Sequence, residues 1–280
     1  MNYKPMLAKS SNDVQNSVLQ KPMFCSRKLN GVRCMIKWNK ELGKPVTISR
    51  GGRNYDVAAT KIVEQLTPYL QEHQDTILDG ELYIHGHYLQ EISGMARLET
   101  WEPRCSTLEY WIYDIADEKL NFNQRLDILE TLRIDIQDDP DYSKIKVLEH
   151  TLTNSWAEIE KLHDRWVKEG FEGLVARKPD KYYAFGKRGS DMIKVKMYQD
   201  DEFEIIDYQD GLRPEDFTFI CQTKDGKAFA AKPIGDRELK AYYLDNIDDI
   251  IGKLGVVKYF EISKDGIPQQ PVFQAIRYDL

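Results

Sequence analysis

Three groups of residues have the types and spacing to handle an anionic reactant. In "SRKLNGVRC", residues 26–34, Arg27, Lys28 and Arg33 surround an Asn-Gly turn between two stretches of half-buried character. In "DMIKVKMY", residues 191–198, a strand period of two sends Ile193, Val195 and Met197 to one face and Met192, Lys194 and Lys196 to the other. Two lysines on one face of a strand whose other face is core repel each other, and an anion is expected to neutralise them. The third group is acidic: Glu81 in "LDGELYIHG" and Glu172 in "GFEGLVARK". Singly, each group is ordinary. Lys-x-x-Gly occurs at many turns, "SRGGR" with Arg50 and Arg53 reads equally well as a solvated loop, and Tyr110, Trp111 and Tyr113 read as core packing. Whether Lys28 is a surface cation or a nucleophile aimed at a phosphate is therefore a question about the set.

The elements that must carry these residues alternate between strand and helix. "GVRCMIKW" has Val32, Cys34, Ile36 and Trp38 at period two, and "ELGK" turns the chain into "PVTISR" as a hairpin. "DVAATKIVEQL" has helical spacing and is expected to end ahead of Pro68. "ILDGELYIHGHYL" reads as a second hairpin around His85, Gly86 and His87, and "TLEYWIYDIAD" as a central strand. "SWAEIEKLHDRWVKEG" is the clearest helix, with a Ser155/Glu158 capping box, an apolar face and a Gly170 stop. From about residue 199 the pattern becomes five short strands with one helical piece, "RELKAYYLDNIDDIIG", which suits a small barrel of the OB type.

Composition bounds the rest. The 280 residues allow one large domain or two smaller ones, and 41% hydrophobic with 30% charged residues describe a globular chain. No apolar run approaches the ~20 residues of a membrane span, and "MNYKPMLAKS" lacks the apolar core of a secretory signal, so a cytoplasmic location is expected. Cys25, Cys34, Cys105 and Cys221 are scattered without metal-ligand spacing and read as reduced thiols. His85 and His87 have no third ligand in view. The net charge of −7 argues at first against a polyanionic partner, but it is unevenly placed. From Gln199 onward there are 10 basic and 17 acidic residues, whereas residues 1–198 carry 29 of each. That break marks a domain boundary, and a neutral total can conceal a basic face.

In chain order, "KLNGVR", "SRGGR", "LDGELYIHG", "YWIYD", "GFEGLVARK" and "IKVK" resemble the nucleotidyltransferase motifs of ATP-dependent DNA ligases. "KPMLAKS" is similar to the family's entry segment, "NQRLDIL" to its Arg-containing helix, and "FQAIRYDL" to its last motif. The resemblance covers nearly the whole chain, and the ordered set is specific although no member of it is. It implies an α+β fold: an adenylation domain of antiparallel sheets and helices over residues 1–198, then an OB-fold barrel over 199–280.

The resemblance also implies site roles. Lys28 would attack the α-phosphate of ATP to form a lysyl-AMP phosphoramidate. A lysine amine has a pKa of ~10.4 in water, so it needs neighbouring cations and desolvation to become nucleophilic. Lys194 and Lys196 would supply those cations and neutralise the developing charge. Ser26, Arg33, Arg50 and Glu81 match nucleotide-contacting positions, Glu81 on the ribose hydroxyl. Tyr113 matches the aromatic that stacks on adenine, with Val175 on the opposite face. Glu172, with Glu81, matches the carboxylates associated with Mg2+ or Mn2+. Arg277 and Asp279 match the last motif, and Leu280 stands where the family has lysine. Asn30 stands where the family usually has aspartate, keeping a carbonyl acceptor and losing the charge.

The implied activity is sealing of nicked duplex DNA by a monomer. Arg33, Arg50, Lys187 and Arg188 would contact the DNA, and the barrel's few cations, such as Lys232 and Lys258, would face it. Two rivals stand beside this reading. An RNA ligase or mRNA-capping guanylyltransferase shares the lysine chemistry, and Asn30 would suit an impaired nucleic-acid-binding relative.

Overall fold

In a computed structural model, residues 3–196, 198–213, 216–260 and 262–277 are described. Along the chain, β1 (Leu7–Ser10), α1 (Asn16–Leu19), β2 (Met23–Lys28), β3 (Val32–Asn39) and β4 (Lys44–Ser49) precede α2 (Thr60–Glu72), β5 (Ile77–Tyr83) and α3 (Leu89–Ala96). Then come β6 (Glu109–Ile115), α4 (Phe122–Ile136), β7 (Ile145–Val147), β8 (Thr151–Thr153), α5 (Trp156–Lys168), β9 (Gly173–Arg177) and β10 (Arg188–Val195). These elements form one compact unit, Met1–Lys196. The second unit, Met197–Leu280, holds β11 (Gln199–Asp210), β12 (Phe217–Gln222), β13 (Ala228–Pro233), α6 (Arg237–Asp245), α7 (Ile247–Ile250), β14 (Leu254–Tyr259) and β15 (Val272–Ile276).

The first unit is α+β, with two five-stranded sheets ordered β1-β10-β9-β2-β8 and β4-β3-β5-β6-β7. Antiparallel pairing dominates, but β1–β10 and β6–β7 are parallel, so the sheets are mixed rather than purely antiparallel. Cys34, Ile36 and Trp38 of β3 face the core under α2, α3 and α4, as the alternation predicts. Met35 is fully buried as well, because the opposite face of β3 is covered by Met6, Ala116, Tyr183 and Met192. In β10 the alternation holds, with Ile193 and Val195 in a core beneath α5. Met197, expected on the same face, lies outside the described residues.

Three expectations are corrected. The helix expected to stop before Pro68 runs through it to Glu72, because Ile62, Leu66 and Leu70 keep one buried stripe across the proline. Pro68 sits on the exposed side, where water can replace the missing backbone hydrogen bond. The second hairpin does not form: β5 pairs with β3 and β6, and the residues after His87 enter α3. The single helical piece of the second unit is two helices, α6 and α7. The capping of α5 is partly as expected. Ser155 accepts from the Glu158 amide at 3.3 Å, whereas the Glu158 carboxylate accepts from the Asn154 amide at 2.8 Å.

The second unit closes as a five-stranded barrel, β11-β12-β13-β15-β14, around Phe217, Phe219, Phe273 and Val257. That is the small OB-like barrel the strand count suggests.

Two carboxylates in strands of the first unit are fully buried, and both are met by arginine. Asp79 of β5 accepts from Arg33 at 3.0 and 2.5 Å and from the Tyr183 hydroxyl at 2.6 Å. Asp114 of β6 accepts from Arg125 on Oδ1 at 2.6 Å and on Oδ2 at 3.3 Å, and Arg177 lies 3.4 Å from Oδ2. Removing the acid alone would strand two buried guanidinium groups. Asp114→Ala is therefore expected to lose ~3–5 kcal/mol of stability. Urea denaturation checks this, and Asp114→Asn, which keeps an acceptor, should lose less.

Candidate active site

Lys28 ends β2 directly opposite Gly173, the first residue of β9, and Leu174 pairs with Val195 of β10. This register brings the ends of three strands together around Glu172, whose amide donates to the Lys28 carbonyl at 3.0 Å. The Glu172 carboxylate then receives Lys28 on one oxygen and Lys196 on the other. Glu172 and Lys196 are nearly sealed from solvent, at 5% and 8% side-chain exposure, whereas Lys28 is 20% exposed and opens to the cavity. Gly173 has φ +144°, and a Cβ there would collide with the Val195 carbonyl, so glycine is required for this close approach. Gly31 is constrained similarly, with the Leu82 carbonyl and Glu81 Cγ where its Cβ would stand.

The cavity beside Lys28 is about 490 Å³, within the ~300–1,000 Å³ usual for small-molecule sites. Met192, Lys194 and Lys196 all line it, so the lysine face of β10 is a cavity wall. Burial, reinforced by the positive charges of Lys196, Lys28 and Arg188, pulls the Lys194 amine below the ordinary lysine value, with Glu172 opposing. Lys28, Arg33, Arg50, Arg188, Lys194 and Lys196 among its lining residues make the wall cationic.

Ser26, Arg33, Arg50, Glu81, Tyr113, Val175 and Arg188 also line the cavity. Several are engaged by protein groups. Arg33 is bound to Asp79 and donates to the Met6 carbonyl at 2.6 Å, and its guanidinium lies 5.7 Å from the centre of the Tyr113 ring. Ser26 accepts from Arg177 at 3.1 Å, and Glu81 accepts from the Tyr113 hydroxyl at 3.1 Å. Arg188 donates to the Ala8 carbonyl. Lys187 is exposed and is not part of the cavity wall. In the second unit Arg277 pairs with Glu202 at 3.1 Å, and Asp279 lies outside the described residues. Lys232 pairs with Asp216 at 3.1 Å, and Lys258 lies over the Tyr198 ring.

Four residues of the site were not singled out from the sequence. Asp79, Asp114 and Tyr183 hold the arginines, and Arg177 is buried against Tyr113 with its guanidinium 5.4 Å from the ring centre. The signal was present: a carboxylate inside an apolar strand, as in "ILDGEL" or "YWIYDI", must be paired, which calls for arginines elsewhere.

A divalent ion has only a partial protein site. Among the described residues no group of three or more His, Cys, Asp or Glu side chains is arranged to hold a metal. Glu172 offers one carboxylate, already shared by two lysines. Magnesium needs few protein donors when phosphates and waters supply the rest, and that chemistry fits a carboxylate beside a cationic wall.

The family model for the ATP-dependent DNA ligase domain matches residues 5–196. The chain belongs to this family. DNA ligase of African swine fever virus is 27% identical over 286 residues, covering 95% of this chain and 66% of the viral protein. The chain thus spans just under two thirds of the length of these ligase relatives. Among solved structures, a Lig E DNA ligase, studied for DNA binding with a minimal scaffold, superposes with a TM-score of 0.76 at 20% identity, covering 99% of this chain and all of the other. Chlorella virus DNA ligase-adenylate gives 0.56 at 23% identity, covering 98% and 99%. At these identities the structural likeness is one of fold. No helix among the described residues of this ligase-family chain is long and apolar enough to cross a membrane.

Burial pushes the Glu81 carboxyl up from 4.5 to about 7, against the pull of Lys28, Arg33 and the Tyr113 hydroxyl. The folded state binds this proton more tightly than the unfolded one, so the stabilisation is full below pH 4.5 and is lost as pH rises through about 7. Glu81→Gln cannot ionise. Between pH 4 and 8 its unfolding free energy should gain on that of the wild type as pH rises, by on the order of 2–3 kcal/mol in urea denaturation. A pH-independent difference would show that Glu81 titrates normally.

Proposed function

We propose that this chain is an ATP-dependent DNA ligase that seals nicked duplex DNA through a lysyl-AMP intermediate on Lys28. Its adenylation domain would be residues 1–198 and its OB-fold domain 199–280. The observation that carries this reading is the cationic wall itself, with Lys28 and Lys196 on one buried carboxylate and Lys194 beside them in a cavity of nucleotide size.

Lys28 touches the Glu172 carboxylate, and an ammonium must lose a proton before it can attack. Glu172 is the acceptor that touches it. The neutral amine then attacks the α-phosphate of ATP: the Nζ–P bond forms, the bond to the β-phosphate oxygen breaks, pyrophosphate leaves, and a second proton passes to solvent. Lys194 and Lys196 neutralise the phosphate as charge shifts to the leaving group. Tyr113 and Val175, which line the cavity, would take the base, and Ser26, Arg33, Arg50 and Glu81 the sugar and phosphates. Mg2+ or Mn2+ would be held by Glu172, with Glu81 close by, and would supply charge neutralisation on the phosphates. AMP then moves to the 5′-phosphate of the nick, with Arg33, Arg50, Lys187 and Arg188 on the DNA, and the 3′-hydroxyl displaces it. Arg277 and Asp279 are assigned to the adenylation step. We place this reaction in the cytoplasm, carried out by a monomer.

Intact mass after incubation with ATP and Mg2+ should show one added AMP. GTP should not replace ATP, and nicked DNA should be sealed in preference to nicked RNA. The reverse preferences would indicate a capping enzyme or an RNA ligase, and no covalent nucleotide would indicate a binding protein. Lys28→Ala should abolish AMP loading yet retain partial sealing of a pre-adenylated nick. Lys194→Ala and Lys196→Ala should each slow AMP loading ~10²-fold, the scale of one lost charge-stabilising contact. Ile193 and Val195 carry the core face, so Lys194→Ala in particular should change thermal stability little.

A further inference from the structure

Beyond Arg50, assigned to the nucleotide above, the cavity has a second cationic edge that the adenylation chemistry does not use. Leu89, Ser93 and Arg97, spaced four residues apart, present one face of α3 and its C-cap to the cavity, while Ile92, Met95 and Ala96 face the core. Beside them, the loop after β4 contributes Arg50, Gly51 and Tyr55 to the same lining. The positive charges of Arg97 and Arg53 both bear on the Tyr55 hydroxyl, and Arg53 lies two residues before Tyr55 in the same loop. Among the described residues, no carboxylate forms an ion pair with Arg50, Arg53 or Arg97, whereas Arg27, Arg33, Arg125, Arg133 and Arg165 are each paired.

We infer that Arg53 and Arg97, with Tyr55 and Leu89 of the adjoining cavity lining, form a seat for the sugar-phosphate backbone of a nucleic-acid strand, separate from the phosphates of ATP. The inference rests on the ligase reading above and names where its polymeric substrate is gripped. Like charges gathered without an acid call for an external anion. Three properties favour a strand over a free pyrophosphate or the tail of ATP. Arg50 and Arg97 line the cavity, and both they and Arg53 are exposed, where a polymer can reach them. Leu89 and Tyr55 add half-buried apolar surface, which matches the sugar faces of a backbone and has no counterpart in pyrophosphate. The nucleotide's phosphates already have Lys28, Lys194 and Lys196. Guanidinium groups suit such a seat because each can donate two parallel hydrogen bonds to one phosphate.

The test is the double variant Arg53→Ala/Arg97→Ala in the full chain, probed with a nicked duplex over a salt titration. Each phosphate contact contributes about 0.9 to the log–log salt slope, so the slope should fall by about 2 and nick affinity at low salt by at least ~10-fold. The yield of lysyl-AMP from ATP, read by intact mass, should stay within about twofold of wild type. Arg53→Lys/Arg97→Lys should restore the slope, because lysine keeps the charge, and a melting curve establishes that each variant is folded. An unchanged slope in the folded alanine variant would show the rim to be solvated surface. An unchanged slope with a raised KM for ATP would assign the two arginines to the nucleotide and overturn the strand seat. If the alanine pair fails to fold, Arg53→Gln/Arg97→Gln gives the same reading of the slope. Failure of the wild type to load AMP or seal a nick would instead count against the ligase reading, so the two failures are distinct.

Discussion

One carboxylate shared by two ammonium groups fixes the chemistry of the first unit. Glu172 stands where the register of β2 against β9 and of β9 against β10 brings three strand ends together, so its two lysine partners come from opposite neighbours of one strand. That register is set by packing: Leu174, Ala176, Ile193 and Val195 are buried in one core, and a slip of one residue would turn the lysines into it. Core packing therefore decides which amine faces the cavity. Among the described residues Lys194, beside this pair, forms no ion pair with a carboxylate, so the cluster keeps a positive charge. The remaining positive charge sits in a partly desolvated wall, where an anion interacts more strongly than it would in open water.

Around this triad a second layer of buried charge works differently. Asp79 and Asp114 are removed from solvent, and desolvating an ion pair offsets much of its Coulomb attraction. The benefit is geometric. Asp79 grips Arg33 through two nitrogens while Tyr183 donates to the same carboxylate, so the guanidinium is fixed over Tyr113. Arg177, drawn toward Asp114 and bonded to Ser26, lies near the same ring. The aromatic wall of the cavity is thus immobilised by cations that are themselves immobilised by carboxylates. A site that must hold a flat ring and a phosphate together gains from such preorganisation, because little rotamer freedom remains to be lost on binding.

The parts of this arrangement legible in the sequence were those governed by local periodicity. The alternation in "DMIKVKMY" correctly separates Met192, Lys194 and Lys196 from Ile193 and Val195. Ser155 and Gly170 delimit α5 because caps and left-handed glycines act within one turn. What periodicity could not reveal depends on distant partners. Pro68 signals a stop locally, but Leu70 belongs to a buried stripe that outweighs one lost hydrogen bond. Residues 85–88 resemble a hairpin turn, yet β5 already has β3 and β6 on its two edges, so no place remains for a returning strand. Nothing in the local pattern marks Arg97, and the packing of α3 on β3 and β5 brings it to the cavity.

Net charge is a poor guide to what such a molecule binds. The acidic excess of seven lies in residues 199–280, while the first 198 residues balance 29 against 29. At 0.1 M ionic strength the Debye length is about 10 Å, so exposed carboxylates farther than that from a bound phosphate act on it weakly. Contact cations dominate instead, and which cations are in contact depends on pairing as much as on number. Arg125 and Arg133, each satisfied by an acid of the same chain, contribute little to an external anion. Lys194, Arg50, Arg53 and Arg97 have no such partner among the described residues, and three of these four line one cavity. A chain can therefore be acidic in total and still attract a polyanion, provided that its acids are spent on the wrong arginines and withheld from the right ones.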